Sequence, residues 1–132
     1  MNKIVEELRK AGVFYVATMD ADQPRVRPFS SIMEFEGNLY LCTNNTKKCY
    51  AQMQANPKIE ICGFQAKEGS WVRVSGTAVR DDRDEARAAM LADPTGPSQL
   101  YTVGDGIFEV LRIENPVCTK YSFTTEPEII NA

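Results

Sequence analysis

Between Val13 and Phe123 the chain repeats one device: a short run rich in β-branched and aromatic residues, closed by a polar breaker. Val13–Met19 is followed by a turn at Asp20–Gln23, then by Pro24–Ser30 and Ser31–Glu36. Gly37-Asn38 reads as a two-residue hairpin loop, and Leu39–Thr43 completes an antiparallel meander. Lys58–Phe64 and Trp71–Val79 are strand-like again, across a loop at Gln65–Ser70. In the second of these, alternation sends Trp71, Arg73, Ser75 and Thr77 to one side and Val72, Val74, Gly76 and Ala78 to the other. Ile107–Ile113 and Val117–Phe123 finish the set, joined near Asn115-Pro116.

Three stretches break this rhythm. In Met1–Gly12, Ile4, Val5 and Leu8 fall at helical spacing and Gly12 is a stop. Lys47–Ala55 lies between Thr46, a candidate cap, and Asn56-Pro57, a terminator. Asp82–Ala92 opens with Asp82 and Glu85 spaced as a capping box and ends in the breaker Asp93–Pro97. The pattern predicts a mainly β (α+β) fold, an antiparallel barrel of about six to eight strands closed on itself, with short helices packed outside.

A chain of 132 residues allows a single domain over residues 1–132. With 43% hydrophobic and 25% charged residues it has material for a core. It contains no histidine, which removes Ser-His and Cys-His catalysis and histidine-ligated zinc or haem. Chemistry must then run on other side chains or on a borrowed cofactor. A net charge of −3 offers no overall field toward nucleic acid or an anionic membrane. Cys42, Cys49, Cys62 and Cys118 show no C-x-x-C or zinc-ribbon spacing. Met1–Gly12 reads as a charged amphipathic segment rather than a leader, and no apolar run approaches the ~18 residues of a membrane helix. The expectation is a cytoplasmic protein with reduced thiols and neither a membrane nor a nucleic-acid partner.

Two clusters carry candidate chemistry. In Arg25-Val26-Arg27-Pro28, alternation places both guanidinium groups on one strand face, about 7 Å apart, where their planar forks suit phosphate or carboxylate. The alternative is a solvated polar face. Thr43-Asn44-Asn45-Thr46-Lys47-Lys48 lies between a strand end and a helix start. Cations there are unfavourable for a bare helix and favourable beside an anion held by the helix N-terminus. The alternative is two lysines extending into water. Cys42 and Cys49 would be redox-active if Lys47 or Lys48 lowered a thiol pKa; the alternative makes Cys42 and Cys62 small apolar strand residues. Asp81, Asp82, Asp84 and Glu85 read as acids drawn to a helix start, not as a metal site. Nothing in the sequence places Tyr101 or Tyr121 in a pocket.

Taken in order, the Ala17-Thr18 strand end, Pro24-Arg25-Val26-Arg27-Pro28, Thr43-x-x-Thr46-x-Lys48, Asn56-Pro57 and Trp71–Thr77 resemble the FMN-binding split barrels. These are the proteins similar to pyridoxamine 5′-phosphate oxidase, including its small nitroimidazole-reductase-like and general-stress branches. The resemblance implies a split barrel that forms a homodimer with two FMN molecules at the subunit interface. It implies that Arg25 and Lys48 hold the phosphate, with Thr46 adding a hydroxyl and Arg27 and Lys47 nearby. It implies that the backbone from Val26 to Ser30, Pro28 included, lines the flavin ring, with Cys42 and Thr43 beside it and Trp71 reaching it from the other subunit. No protein side chain is assigned a catalytic role, since the flavin carries the chemistry.

The likeness has a limit. The oxidase grips its substrate with further basic residues, including an arginine-histidine pair near its end, whereas Thr124–Ala132 is acidic and apolar. The expectation is therefore an FMN-dependent oxidoreductase other than a pyridoxamine phosphate oxidase. It would pass electrons from a reduced nicotinamide, NAD(P)H, to a small acceptor such as a nitro compound or quinone. The alternatives are a flavin-binding or stress-response module without turnover, and a reductase of the same fold using a deazaflavin coenzyme.

Overall fold

The computed structural model describes residues 2–132; Met1, the first residue of the expected amphipathic segment, lies outside them. Helix α1 (Lys3–Ala11) starts where the Asn2 side chain accepts from the N–H groups of Ile4 and Val5, and it stops at Gly12. Strands β1 (Phe14–Asp20) and β2 (Gln23–Phe29) form a hairpin, with Ala21 at positive φ in its loop. Next come β3 (Met33–Phe35), β4 (Asn38–Asn44), α2 (Lys48–Ala55), β5 (Lys58–Gln65) and β6 (Ser70–Asp81). Helix α3 (Asp84–Ala92), β7 (Phe108–Ser122) and β8 (Glu128–Ile130) complete the chain.

All eight strands belong to one antiparallel sheet, in the order β2-β1-β5-β6-β7-β4-β3, with β8 paired to β7. The sheet does not close: β2 and β3 end the order without pairing to each other. This corrects the closed barrel read from the pattern and is the split barrel that the resemblance implies.

Several local expectations shift. The β3–β4 loop is Glu36-Gly37, both at positive φ (52° and 79°), so the hairpin lies one residue earlier than Gly37-Asn38 suggested. Gly37 takes the second left-handed position, which a side chain disfavours. The runs 107–113 and 117–123 are one continuous strand, β7. Asn115, at φ 51°, and a register shift between Ser75 and Thr77 make a bulge where a strand break was expected. Gly76 faces that bulge, where a Cβ would lie 2.5 Å from Ile113 Cγ2. The acidic and apolar C-terminal stretch supplies β8.

The core lies on the concave face. Phe14, Val16, Ile61, Val72, Val74, Leu41 and Leu111 meet the Ile4, Val5 and Leu8 face of α1 and Met53 of α2. β4 is buried on both faces, because its reverse side (Tyr40 and Cys42) packs with Phe108, Val110 and Ala86 and Met90 of α3. Among the described residues no helix is long and apolar enough to cross a membrane.

Candidate functional site

At the open side of the sheet, β2 and the end of β4 face the segment that links α3 to β7. A cleft of about 220 Å³ opens there, lined by Arg27, Pro28, Phe29, Ser30 and Ser31, by Cys42, Thr43, Lys47 and Cys49, and by Pro97, Leu100 and Tyr101. The far wall is fixed by a clamp: the Ser31 hydroxyl donates to the Thr95 carbonyl at 2.6 Å, and the Ile32 N–H donates to the Thr95 hydroxyl at 3.0 Å. Asp93, at the head of this segment, is paired to Arg9 of α1 at 2.5 Å. Two cations and no carboxylate line the cleft, so its field favours an anionic or electron-rich guest.

The two arginines of β2 share a face, as alternation requires, but they differ in use. Arg27 is spent on the protein: Nη1 donates to Thr18 Oγ1 (2.7 Å) and the Val16 carbonyl (3.2 Å), and Nη2 donates to Gln52 Oε1 (2.8 Å). Thr18 also donates to Gln52 at 2.6 Å, so this network ties α2 to the β1–β2 hairpin. Arg25 is half exposed and, among the described residues, pairs only with Asp20, at 3.3 Å, also half exposed. Such a pair contributes little and leaves the guanidinium available.

Helix α2 begins without a side-chain cap; its N-cap residue is Lys47. The expected Thr46 cap does not form, because the Thr46 N–H and hydroxyl both donate to Asn44 Oδ1. Asn44 captures them in a turn that positions the helix start. Lys47 and Lys48 are exposed and carry no ion pair among the described residues. The α2 N-terminus therefore presents unpaired N–H groups with two cations beside them.

Of the expected site residues, the structure gathers Arg27, Pro28, Ser30, Cys42, Thr43 and Lys47 in the cleft. Arg25 near the start of β2, Thr46 in the turn before α2 and Lys48 at the start of α2 lie outside that lining, and Val26 is on the other face of β2, paired across to Ala17. Trp71 is elsewhere, stacked on Tyr121 (centroids 5.7 Å, 15°) and against Phe123 (5.1 Å) on the convex face. Ser31, Cys49, Pro97 and Leu100 carry no such expectation, and the sequence raises but does not place Tyr101. The last three reach the cleft through a long-range clamp that local pattern does not reveal.

Burial pushes the Cys42 thiol up to about 11, outweighing Ser31 and Lys47, so it is not an activated thiolate. Cys49 is buried with its sulfur 3.4 Å from Thr43 Oγ1. Of the acidic set, Asp84 and Glu85 lie in the first turn of α3, as read. Asp81 and Asp82 precede α3 and pair with Arg83 and with Arg80 and Arg87, and the expected Asp82–Glu85 capping box is absent because Arg83 occupies the N-cap.

An open antiparallel sheet with a cation-lined cleft at its seam defines the split-barrel class. The chain belongs to the pyridoxamine 5′-phosphate oxidase family, whose sequence profile matches residues 1–103. It is similar to the crystal structure of a NimC/NimA family protein from Clostridium acetobutylicum, with 45% identity, TM-score 0.93 and coverage of 98% of this chain and 90% of that one. It shares its fold with General Stress Protein 26 from Bacillus anthracis (16% identity, TM-score 0.74, 98% and 94% covered). It also shares it with a pyridoxamine 5′-phosphate oxidase-related, FMN binding protein from Nostoc punctiforme (20%, TM-score 0.64, 98% and 95%). No curated protein matches it.

Proposed function

We propose that the chain is an FMN-binding flavoprotein acting as an oxidoreductase. The observation that carries this is the uncapped, lysine-flanked start of α2 beside a cleft with cations and no carboxylate. The donor set fits the cofactor. Arg25, Lys47, Lys48 and the α2 N–H groups suit a phosphate of nearly two negative charges, with the Thr46 hydroxyl beside them. The Pro28–Ser31 backbone, Phe29 and Thr43 offer a flat, partly apolar slot for a ring. FMN, when bound, supplies the two-electron chemistry that a histidine-free chain lacks. Arg27 acts at one remove, holding α2 on the hairpin. The activity this serves is passage of electrons from NAD(P)H to a small acceptor such as a nitro compound or quinone. Pyridoxamine phosphate is not the proposed substrate, since the chain has no histidine for the oxidase's arginine-histidine grip.

The reading includes a homodimer. The convex face carries contiguous cross-strand rows, Pro28–Tyr15–Cys62–Arg73–Thr119–Ile129 and Val26–Ala17–Glu60–Ser75–Val117, flanked by Phe64–Trp71–Tyr121. Val26, Ile129 and Val117 are 67%, 62% and 58% exposed in the single chain, an apolar area suited to a second copy. Trp71 lies on that face, where it would approach the partner's site.

Titrating FMN and riboflavin into the purified chain, followed by flavin fluorescence and the visible spectrum, tests the site. FMN is expected to bind more tightly, and Arg25→Ala with Lys48→Ala to weaken FMN roughly 10- to 100-fold while leaving riboflavin unchanged. Equal affinities for the two flavins, or indifference to the double substitution, would remove the phosphate site. Steady-state NAD(P)H consumption with nitro and quinone acceptors separates an enzyme from a flavin-holding module.

A further inference from the structure

The Tyr101 hydroxyl ends a short chain of hydrogen bonds whose polarity is dictated from its far end. The Thr46 backbone N–H lies 3.0 Å from one terminal atom of the Asn44 amide. A backbone N–H can only donate, so that atom is the oxygen. The Thr46 hydroxyl donates to the same oxygen at 2.5 Å. The other terminal atom is then the NH₂ group, which can only donate, and it lies 2.6 Å from the Tyr101 hydroxyl oxygen. Tyr101 is the acceptor in that bond and keeps its own proton for another partner. Among the described residues nothing accepts it. The ring is held by stacking on Phe108 (centroids 5.0 Å, 26°), and the residue lines the cleft with Ser30 and Lys47.

We infer that Tyr101 is the hydrogen-bond donor that recognises a carbonyl-type oxygen on a flat ring held in the cleft. The inference rests on the reading of the cleft as a ligand site and names a group that this reading did not use. Such an oxygen belongs either to the flavin ring or to a second ligand that accepts electrons. Asn44 is a positioning residue in this arrangement, since it sets the direction of the phenol proton.

Two substitutions test it. Tyr101→Phe keeps the ring on Phe108 and removes the donor. Asn44→Asp keeps the hydroxyl and the bonds from Thr46, but a carboxylate can only accept, so the phenol proton turns toward it and away from the cleft. A merely structural tether survives that change; the proposed donor does not. The neutral probes are lumiflavin, the flavin ring without its phosphate tail, and acetophenone, titrated with and without FMN. Isopropylbenzene, similar in shape and lacking the oxygen, is the reference. Both variants are expected to weaken lumiflavin or acetophenone by about 3- to 10-fold and to leave isopropylbenzene unchanged. Loss with lumiflavin assigns the bond to the flavin ring; loss confined to acetophenone assigns it to the second ligand. The inference is overturned if neither probe binds the wild type, if neither is weakened, or if Tyr101→Phe weakens one while Asn44→Asp does not. Failure of FMN to bind the wild type overturns the flavin reading instead, and the acetophenone titration without FMN still decides the role of Tyr101.

Discussion

Asp81 closes β6 at 5% exposure, accepting from Arg83 Nη2 at 2.8 Å and from the Tyr40 hydroxyl at 2.7 Å. The Arg83 guanidinium, aided by Tyr40, outweighs burial and holds the Asp81 carboxyl down to about 2, against an ordinary value of 3.8. A depressed carboxyl stabilises the fold fully above the unfolded value, and that contribution fades as pH falls from about 4 through about 2. Asp81→Asn is expected to lower stability by roughly 2 kcal/mol at pH 7 in urea unfolding. The gap to wild type should narrow below pH 4 and nearly close by pH 2; a gap constant with pH would assign the effect to packing. At this scale the sequence is legible where a rule acts over a few residues. Alternation placed Arg25 and Arg27 on one face. It did not show that Arg27 is consumed by Gln52, because their meeting depends on α2 docking against β1.

Elements were legible where their ends carry unambiguous chemistry. Gly12 ends α1 and Asn56-Pro57 ends α2 as their residue types require. The misreadings share a cause: a local signal with two possible partners. Thr46 looks like a cap, yet Asn44, two residues earlier, takes its hydroxyl. Asn115-Pro116 looks like a break, yet pairing on both flanks carries β7 through it, since β6 accompanies it from Ser122 to Val110. That continuity depends on Gly76, where an added methyl meets Ile113 Cγ2 and the Glu114 carbonyl (3.2 Å). Gly76→Ala is expected to destabilise the chain by about 1–3 kcal/mol, read as a lower urea midpoint with an unchanged m-value. An unaltered midpoint would show that the bulge can shift to make room.

For the molecule as a whole, strand content and the mainly β class follow from the breakers between runs. The order of strands does not, because placing β7 between β6 and β4 joins segments far apart in sequence. Closure was also beyond reach: hydrophobic patterning does not distinguish a sealed sheet from a split one. The apolar convex face predicts association. Tyr15→Glu with Val117→Glu, at positions 48% and 58% exposed in the single chain, should leave the fold intact by circular dichroism. The pair should shift sedimentation from twice the chain mass to the chain mass. A wild type that sediments as a single chain at tens of micromolar would remove the dimer from the proposal.

The split leaves β2 as a sheet edge, and its composition bears on how the protein behaves in a crowded solution. Pro24 and Pro28 are four residues apart, so the two-residue period of a strand sets them on one side. Neither has an N–H, and both keep the ladder with β1 only if that side faces outward. Between them Val26 alone offers a donor to a visiting strand, and Arg25 and Arg27 add like charges that two copies would bring together. The open seam is thus poorly suited to template a visiting strand. An unsealed edge and resistance to strand-on-strand aggregation are carried by the same seven residues.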